Sequence, residues 1–282
     1  MVKKCILLGL FALLIVLVYM SQSLRREYKK CVNKSFELNR IKDDSLLTLG
    51  DIRHLPEPVQ KYLKYVGVIG KKKVNNVKVS ADCKMKMGSG WVKGGFEQYN
   101  LFGSHPMRFF YMKLRMLGFI PIVALHSYNE EKASMLVKVL GMVPVVDVKG
   151  KEMRIGDTTT ILNDMCIFAP AALIDRRIQW ELINDTTVKA VFQTDYCTVS
   201  ALLFFNEQGE LVNFTTDDRY DVNGNGSAKK LKWSTPLKEY KEINGLKLAS
   251  HVEAVWEYPE GPYCYIKMTN IKSIKYNCSK AT

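Results

Sequence analysis

"VKVSADCKMKM", residues 77–87, decides the fold. Val77, Val79, Ala81, Cys83, Met85 and Met87 alternate with Lys78, Ser80, Asp82, Lys84 and Lys86. Successive side chains of a strand point to opposite faces, so this period of two marks a β-strand with its odd-numbered residues buried. "GSG" at 88–90 turns the chain, and residues 91–102 read as its partner. "MRFFYMKLRM" (107–116), "IPIVALHSY" (120–128) and "SMLVKVLG" (134–141) follow with turn residues between them. Strands spaced in this way predict a meandering antiparallel sheet.

Downstream, "LVKVLGMVPVVDVKGKEM" (136–153) departs from the pattern. It begins with Val137 and Val139 on one side, then becomes apolar on both through Val143, Val145, Val146 and Val148, with Asp147 among them. A second apolar face implies a second contact: helix, lipid or ligand. Gly141 and Pro144 allow the strand to bend. The stretch 150–175 reads as helical, with Asp157 or Thr158 as cap and Ile161, Leu162 and Met165 on one face. Strands then resume at "IQWELI", "TTVKAVFQT", "CTVSALLFFN" and "LVNFTTDDRYD". Asn244-Gly245 joins "KWSTPLKEYKEI" to "LKLASHVEAVWEY" as a hairpin, and "YCYIKMTNIKSIKY" is the last strand.

Upstream, "LPEPVQKYLKYVGVIGK" predicts a short helix at 57–66. Its prolines suit the first turn, and Val59, Tyr62, Leu63 and Val66 form one apolar side. Residues 25–50 read as a basic stalk. Before them, residues 5–20 carry no charge, and the uncharged run continues to Leu24. At about 1.5 Å per residue it is long enough for a bilayer core of roughly 30 Å. An uncleaved single-pass anchor over 1–24 is the expectation; a cleaved signal peptide and a buried core helix are the alternatives. Lys3 and Lys4 are outnumbered by Arg25, Arg26, Lys29, Lys30 and Lys34, which by the positive-inside rule keeps the domain in the cytoplasm. The globular expectation is one domain over 51–277.

The formal charge is +13 over 282 residues, of which +6 falls on residues 1–34 and +7 on the remainder. A mildly basic domain gains attraction to anionic lipid. No clustered basic module predicts nucleic-acid binding. Seven scattered cysteines lack zinc spacing; Cys31 and Cys278 could pair, but free thiols are the expectation. There is no GxSxG elbow, Walker loop, HExxH or dinucleotide fingerprint, so neither an enzyme nor a cofactor nor a metal is expected. The four histidines show no ligand spacing.

"LPEPVQKYLKYVGVIG", "MLVKVLGMVPVVDVKGKEM" and "LKEYKEINGLKLASHVEAVWEYPEG" together resemble an uncharacterised prokaryotic family of unknown function, over roughly residues 50–277. The strand order and helical interlude are also similar to the lipoprotein-localisation-factor-like fold. That resemblance implies an α+β, mainly antiparallel open half-barrel with a few short covering helices, whose concave face accepts acyl chains. It also implies a domain outside the cytoplasm, against the charge flanks. The apolar wall it implies draws on Trp91, Phe109, Tyr111, Ala124, Val145, Phe168, Trp180, Phe204 and Trp256. Asp147, Glu152, Asp157 and Arg219 are the polar candidates: the acids as a pair, cation site or helix cap, Arg219 as partner of Asp147 or Glu239. Two functions stand. One is a membrane-tethered binder of a lipid or other apolar ligand. The other is an anchored interaction scaffold with a filled core, whose partner is another membrane or envelope protein.

Overall fold

The computed structural model describes residues 11, 18–38, 43–222 and 227–281. The alternating segments form β1 (Asn76–Met87), β2 (Gly90–Leu101), β3 (Met107–Met116), β4 (Ile120–Asn129), β5 (Lys132–Val139) and β6 (Val143–Lys149). After a helix come β7 (Ile178–Asn184), β8 (Thr187–Gln193), β9 (Thr198–Phe205), β10 (Leu211–Thr216), β11 (Tyr220–Val222) and β12 (Ala228–Lys230). The chain closes with β13 (Lys232–Ser234), β14 (Leu237–Ile243), β15 (Leu246–Tyr258) and β16 (Gly261–Tyr276). Fourteen strands make one sheet in the order β6-β5-β4-β3-β2-β1-β16-β15-β13-β10-β9-β8-β7, with β14 also on β15, while β11 and β12 pair separately. Every registered pair is antiparallel, and β6 does not pair with β7, so the sheet is open.

Helix α1 spans Ser23–Leu38, α2 Leu49–Ile52, α3 Glu57–Val66 and α4 Lys151–Phe168, followed by a 3-10 turn at Pro170–Ile174. In α3, Val59, Tyr62, Leu63 and Val66 are buried as the spacing requires. Gly67 ends it at φ +84, a left-handed position where glycine has no Cβ penalty, with its N–H donating to the Leu63 and Lys64 carbonyls. Helix α4 sets the shape. It packs against β6 and β5 near one edge of the sheet and against β9, β10 and β15 toward the other. At about 4.8 Å per strand, β6 and β9 would lie nearly 50 Å apart in a flat sheet, beyond the reach of an 18-residue helix roughly 27 Å long. The sheet therefore curves around α4.

Both faces of β2–β5 are covered. The inner face, toward α4, carries Phe96, Met112, Leu114, Ile122, Ala124 and Tyr128 within the main core. The alternate residues Tyr99, Leu101, Phe109, Tyr111, Val123 and Leu125 form a second cluster with Leu24, Tyr28 and Val32 of α1. Those three residues are spaced four apart and lie on one stripe of the helix, while its many charges face outward. Tyr28 meets Tyr111 at 5.6 Å between centroids, and Arg25 reaches Glu97 at 3.6 Å.

Two expectations are corrected here. The segment expected as a basic stalk is largely a docked helix, because its three buried residues recur at helical spacing along the charged run. The single-pass membrane localisation with an extracytoplasmic domain is also overturned: among the described residues no helix is long and apolar enough to cross a membrane. Most of the uncharged run, residues 1–10 and 12–17, lies outside the described residues.

The doubly apolar stretch resolves into two strands and a turn. β5 and β6 meet through Leu140 and Gly141, and the register shifts at Val145, between the Val137–Val146 and Lys138–Pro144 pairs. Val146 and Val148 face inward, toward α4 and β5, whereas Val143 and Val145 are exposed at the sheet edge. The second apolar face is thus partly a helix contact and partly bare.

Val79 is fully buried, whereas Lys84 lies on the outer face between Lys93 and Lys267. Val79→Asp is expected to cost several kcal/mol in urea unfolding by burying an unpaired carboxylate, and Lys84→Ser to stay within about 0.5 kcal/mol of wild type. Equal losses would refute the assignment of faces.

Candidate functional site

Helix α4 is enclosed: every residue of 156–168 except Thr160 is buried. Its sequence nonetheless carries Asp157, Thr158, Thr159, Asn163 and Asp164, so polar groups are buried with it. Asp157 and Asp164 are seven residues apart, two helical turns, and face the same strands. There Gln98 and Asn100 of β2 and Arg108 of β3 project from the inner face.

Asp164 Oδ2 accepts from Arg108 Nε at 2.8 Å, Asn100 Nδ2 at 2.9 Å and Gln98 Nε2 at 3.2 Å. Arg108 Nη1 lies 3.7 Å from Asp157 Oδ1, which is 3.8 Å from His126 Nδ1. Asp157 Oδ2 and His126 Nδ1 are buried without a hydrogen-bond partner among the described residues. The cluster is tight at Asp164 and loose at Asp157. At an effective dielectric near 20, a pair at about 3–4 Å attracts by roughly 4–5 kcal/mol, much of which desolvation cancels.

Other polar ties hold the helix along its length. Tyr128 donates to Thr158 Oγ1 at 2.8 Å, the Thr158 hydroxyl donates to the Arg154 carbonyl at 2.9 Å, and Cys197 Sγ–H donates to Thr158 Oγ1 at 3.1 Å. Burial pushes the Tyr128 phenol up, keeping it a neutral donor. At the C-terminal end, where helix carbonyls lack intrahelical partners, Tyr62 donates to Cys166 O at 2.6 Å and Tyr276 to Phe168 O at 2.8 Å.

The candidates named from sequence fall in several places. Ala124, Phe168, Trp180 and Trp256 belong to or pack on the inner core. Phe109 and Tyr111 are buried, but on the opposite face under α1, because they lie one residue out of phase with Met112 and Arg108. Phe204 is half-buried and also out of phase with the inward Leu203 and Phe205; Trp91 is exposed on the outer face, and Val145 is exposed at the edge bulge. Phe109, Tyr111, Phe204, Trp91 and Val145 therefore do not join the other four in the single wall expected. Asp147 is exposed and pairs with Lys149 at 3.3 Å, and Glu152 is half-buried in the first turn of α4. Arg219 pairs with neither Asp147 nor Glu239. Its guanidinium lies over Trp233 at 4.2 Å and Trp256 at 5.5 Å and donates to Gly156 O and Thr160 Oγ1. Only Asp157 of the polar candidates belongs to the buried cluster.

Gln98, Asn100, Arg108, His126 and Asp164 escaped the sequence reading. A signal existed: Gln98 and Asn100 share the parity of Phe96, and Arg108 that of Met112, so polar residues alternate in phase with apolar ones of the inner face. Elsewhere, His105, Glu130 and Asp195 come together, with His105 Nδ1 at 2.9 Å from Glu130 Oε2 and 3.8 Å from Asp195 Oδ2. His105 and Asp195 are largely exposed, and such a group forms readily without a metal. The six described cysteines outside the first residues are free, Cys31 and Cys278 included.

The fold and the site define an open antiparallel half-barrel wrapped around one buried, polar-latched helix. The chain belongs to a family of unknown function (DUF6544), whose match covers residues 45–268. No curated protein matches it. Among solved structures it is similar to a domain assigned to outer membrane lipoprotein sorting from Vibrio parahaemolyticus, at 9% identity and a TM-score of 0.37, covering 72% of this chain and 86% of that one. It is similar to a DUF1329 family protein from Desulfovibrio piger at 9% identity and 0.37, covering 79% and 93%. A LolA superfamily protein from Nitrosomonas europaea stands at 11% identity and 0.36, covering 78% and 94%.

Removing one partner of the tight pair leaves the other charge buried. Asp164→Ala is therefore expected to lower stability by about 3–5 kcal/mol, while Arg108→Met/Asp164→Leu recovers most of that loss when the whole cycle is run in an Asp157→Asn background, which removes the second buried carboxylate facing Arg108. Urea unfolding of the singles and the double closes the cycle; a double variant as unstable as Asp164→Ala would refute the assignment.

Proposed function

We propose that the protein binds an acyl-type apolar ligand against the inner face of its half-barrel, beneath the N-terminal half of α4, without a catalytic step. The observation that carries this reading is the under-satisfied Asp157–His126 contact: among the described residues, Asp157 Oδ2 and His126 Nδ1 are buried without hydrogen-bond partners between the first turns of the helix and the strand wall. Magnitudes restrict the motion. Ile161, Leu162, Met165, Ile167 and Phe168 are all buried, and exposing them would cost roughly 1.5–3 kcal/mol each. An acyl chain of about twelve methylenes gains roughly 10 kcal/mol gross, about what those five residues cost before the Asp164 contacts and the Tyr62 and Tyr276 bonds are added, so it does not expel the whole helix. It suffices to shift the first turns, where the buried residues are Met153, Gly156 and small or polar side chains. The wall uncovered there comprises Ala124, Val137, Met135, Val146 and Val148, in which methionine adapts to ligand shape. Helix α3 stays in place through Tyr62.

A scaffold with a filled core is the second reading, favoured by the burial of nearly all of 156–168. Titration of the full chain with a fluorescent fatty acid separates the two. Saturable binding that Ala124→Trp weakens at least about tenfold, at a melting temperature within a few degrees of wild type, supports the binder. No binding by wild type, with Ala124→Trp destabilised by about 1–3 kcal/mol through overpacking, decides for the scaffold.

A further inference from the structure

Three hairpins of one half of the sheet turn at the same end: β1/β2 near Gly88, β3/β4 at Leu117-Gly118 and β5/β6 at Leu140-Gly141. Successive tips are two strands apart, about 10 Å, so the three form a strip. Apolar side chains in or beside these turns are bare. Leu117 is 77% exposed, Phe119 74%, Val143 56%, Leu140 43% and Trp91 37%.

Two of these turns use an unfavourable residue. Leu117 and Leu140 have φ of 52° and 56°, each followed by a glycine at positive φ. Both tips are three-residue connections built on a β-turn, with Phe119 N donating to Met116 O and Met142 N to Val139 O; two central turn positions at positive φ favour Asn-Gly, and a bulky side chain there is disfavoured. The β14/β15 hairpin has the favoured pair, Asn244-Gly245, at φ of 53° and 75°. At the β3/β4 and β5/β6 tips, leucine stands where asparagine fits better, and it projects into solvent. Folding gives no reason for that choice.

The charge around the tips has one sign. Residues 84–93, 113–121 and 138–145 contain Lys84, Lys86, Lys93, Lys113, Arg115 and Lys138 and no acid. Lys86 lies over the Trp91 ring at 5.5 Å. Helix α1 starts at the same place: a Cβ on Gly141 would stand 2.2 Å from the Ser21 carbonyl, and the residues just before Ser21, Val18 to Met20, are exposed. Apolar points backed by uncompensated cations match a layer with anionic headgroups above hydrocarbon, where amphipathic aromatic residues and lysines settle.

We propose that these three hairpin tips form a peripheral docking surface for an anionic phospholipid layer. Leu117, Phe119 and Leu140 enter the headgroup region, Trp91 sits at its edge, and the lysines and Arg115 contact phosphates. No segment crosses the bilayer in this contact. It stands independently of ligand binding under α4.

The test uses the full chain with vesicles of phosphatidylcholine containing about one-third phosphatidylglycerol, and with phosphatidylcholine alone. Leu117→Asn/Leu140→Asn removes the apolar tips while supplying the better turn residue, so it folds at least as stably as wild type. Partitioning into anionic vesicles is expected to fall roughly tenfold in this variant, and similarly in Lys113→Gln/Arg115→Gln or at about 0.5 M salt. Bromine-labelled acyl chains are expected to quench wild-type tryptophan emission more than that of Trp91→Phe. Residues 5–20 are the same in every variant, so differences between variants report the tips. Equal partitioning of wild type and Leu117→Asn/Leu140→Asn, or equal quenching of wild type and Trp91→Phe, would overturn the proposal. The fatty-acid titration in vesicle-free solution is expected to be unchanged in the tip variants, so failure of this surface is distinguishable from failure of the inner-face reading.

Discussion

A helix buried on every side must be enclosed from every side, and most of this architecture follows from that requirement on α4. Neighbouring helices would enclose it in an all-α fold. Here a single antiparallel sheet does so, by curving until strands near its two edges touch the same helix. Register shifts within β1/β16, β5/β6 and β15/β16 supply local bends, since an extra residue on one strand kinks the pair and increases its twist. The sheet stops short of closure because α4 already fills the space a closed barrel would enclose.

Curving around one helix leaves the outer face of the sheet convex and exposed. Over β2–β4 that face is strongly apolar, with Tyr99, Leu101, Phe109, Tyr111, Val123 and Leu125 all outward. A soluble antiparallel sheet usually has one wetted face. Here α1 covers the apolar part, and Tyr28 anchors it among Tyr99 and Tyr111. Away from α1, the outer face returns to lysine, serine and aspartate, as along β1. The two-layer rule and the half-wetted rule therefore apply to different parts of the same sheet.

Much of this was legible from alternation and turns. The strand at 77–87, the helix at 57–66 and the Asn244-Gly245 hairpin appear where their patterns put them, because each is decided by local spacing. The helix at 23–38 was obscured by its charges: one stripe of Leu24, Tyr28 and Val32 is a weak signal among seven Lys and Arg within residues 1–34. The expected wall mixed residues of both parities because exposure cannot be read from residue type; Phe109 and Ala124 lie on adjacent strands yet face opposite ways. The buried cluster was hidden for a different reason. Its members are separated by up to 66 positions, and only the curvature of the sheet brings Gln98 to Asp164.

The position of that cluster also answers a problem of packing. Apolar residues surround α4, so hydrophobic burial favours no particular rotation of the helix about its axis. Several rotations would bury nearly the same area against leucine, valine and methionine walls. Asp157 and Asp164 break this degeneracy, since only one rotation brings both to Arg108 and satisfies Asn100 and Gln98 together. Any other rotation leaves a carboxylate in the core without donors, at a cost of several kcal/mol. The net contribution of the ion pair to stability is small, yet the gap it opens between this arrangement and its competitors is large. The same rotation places Tyr62 and Tyr276 at the C-terminal carbonyls, fixing the apolar half of the helix, and leaves the looser Asp157–His126 contact at the other half. One set of buried charges thus makes α4 unique in orientation, while hydrogen bonds at Gly156, Thr158 and Thr159 tie its other half to the strands and loop around it.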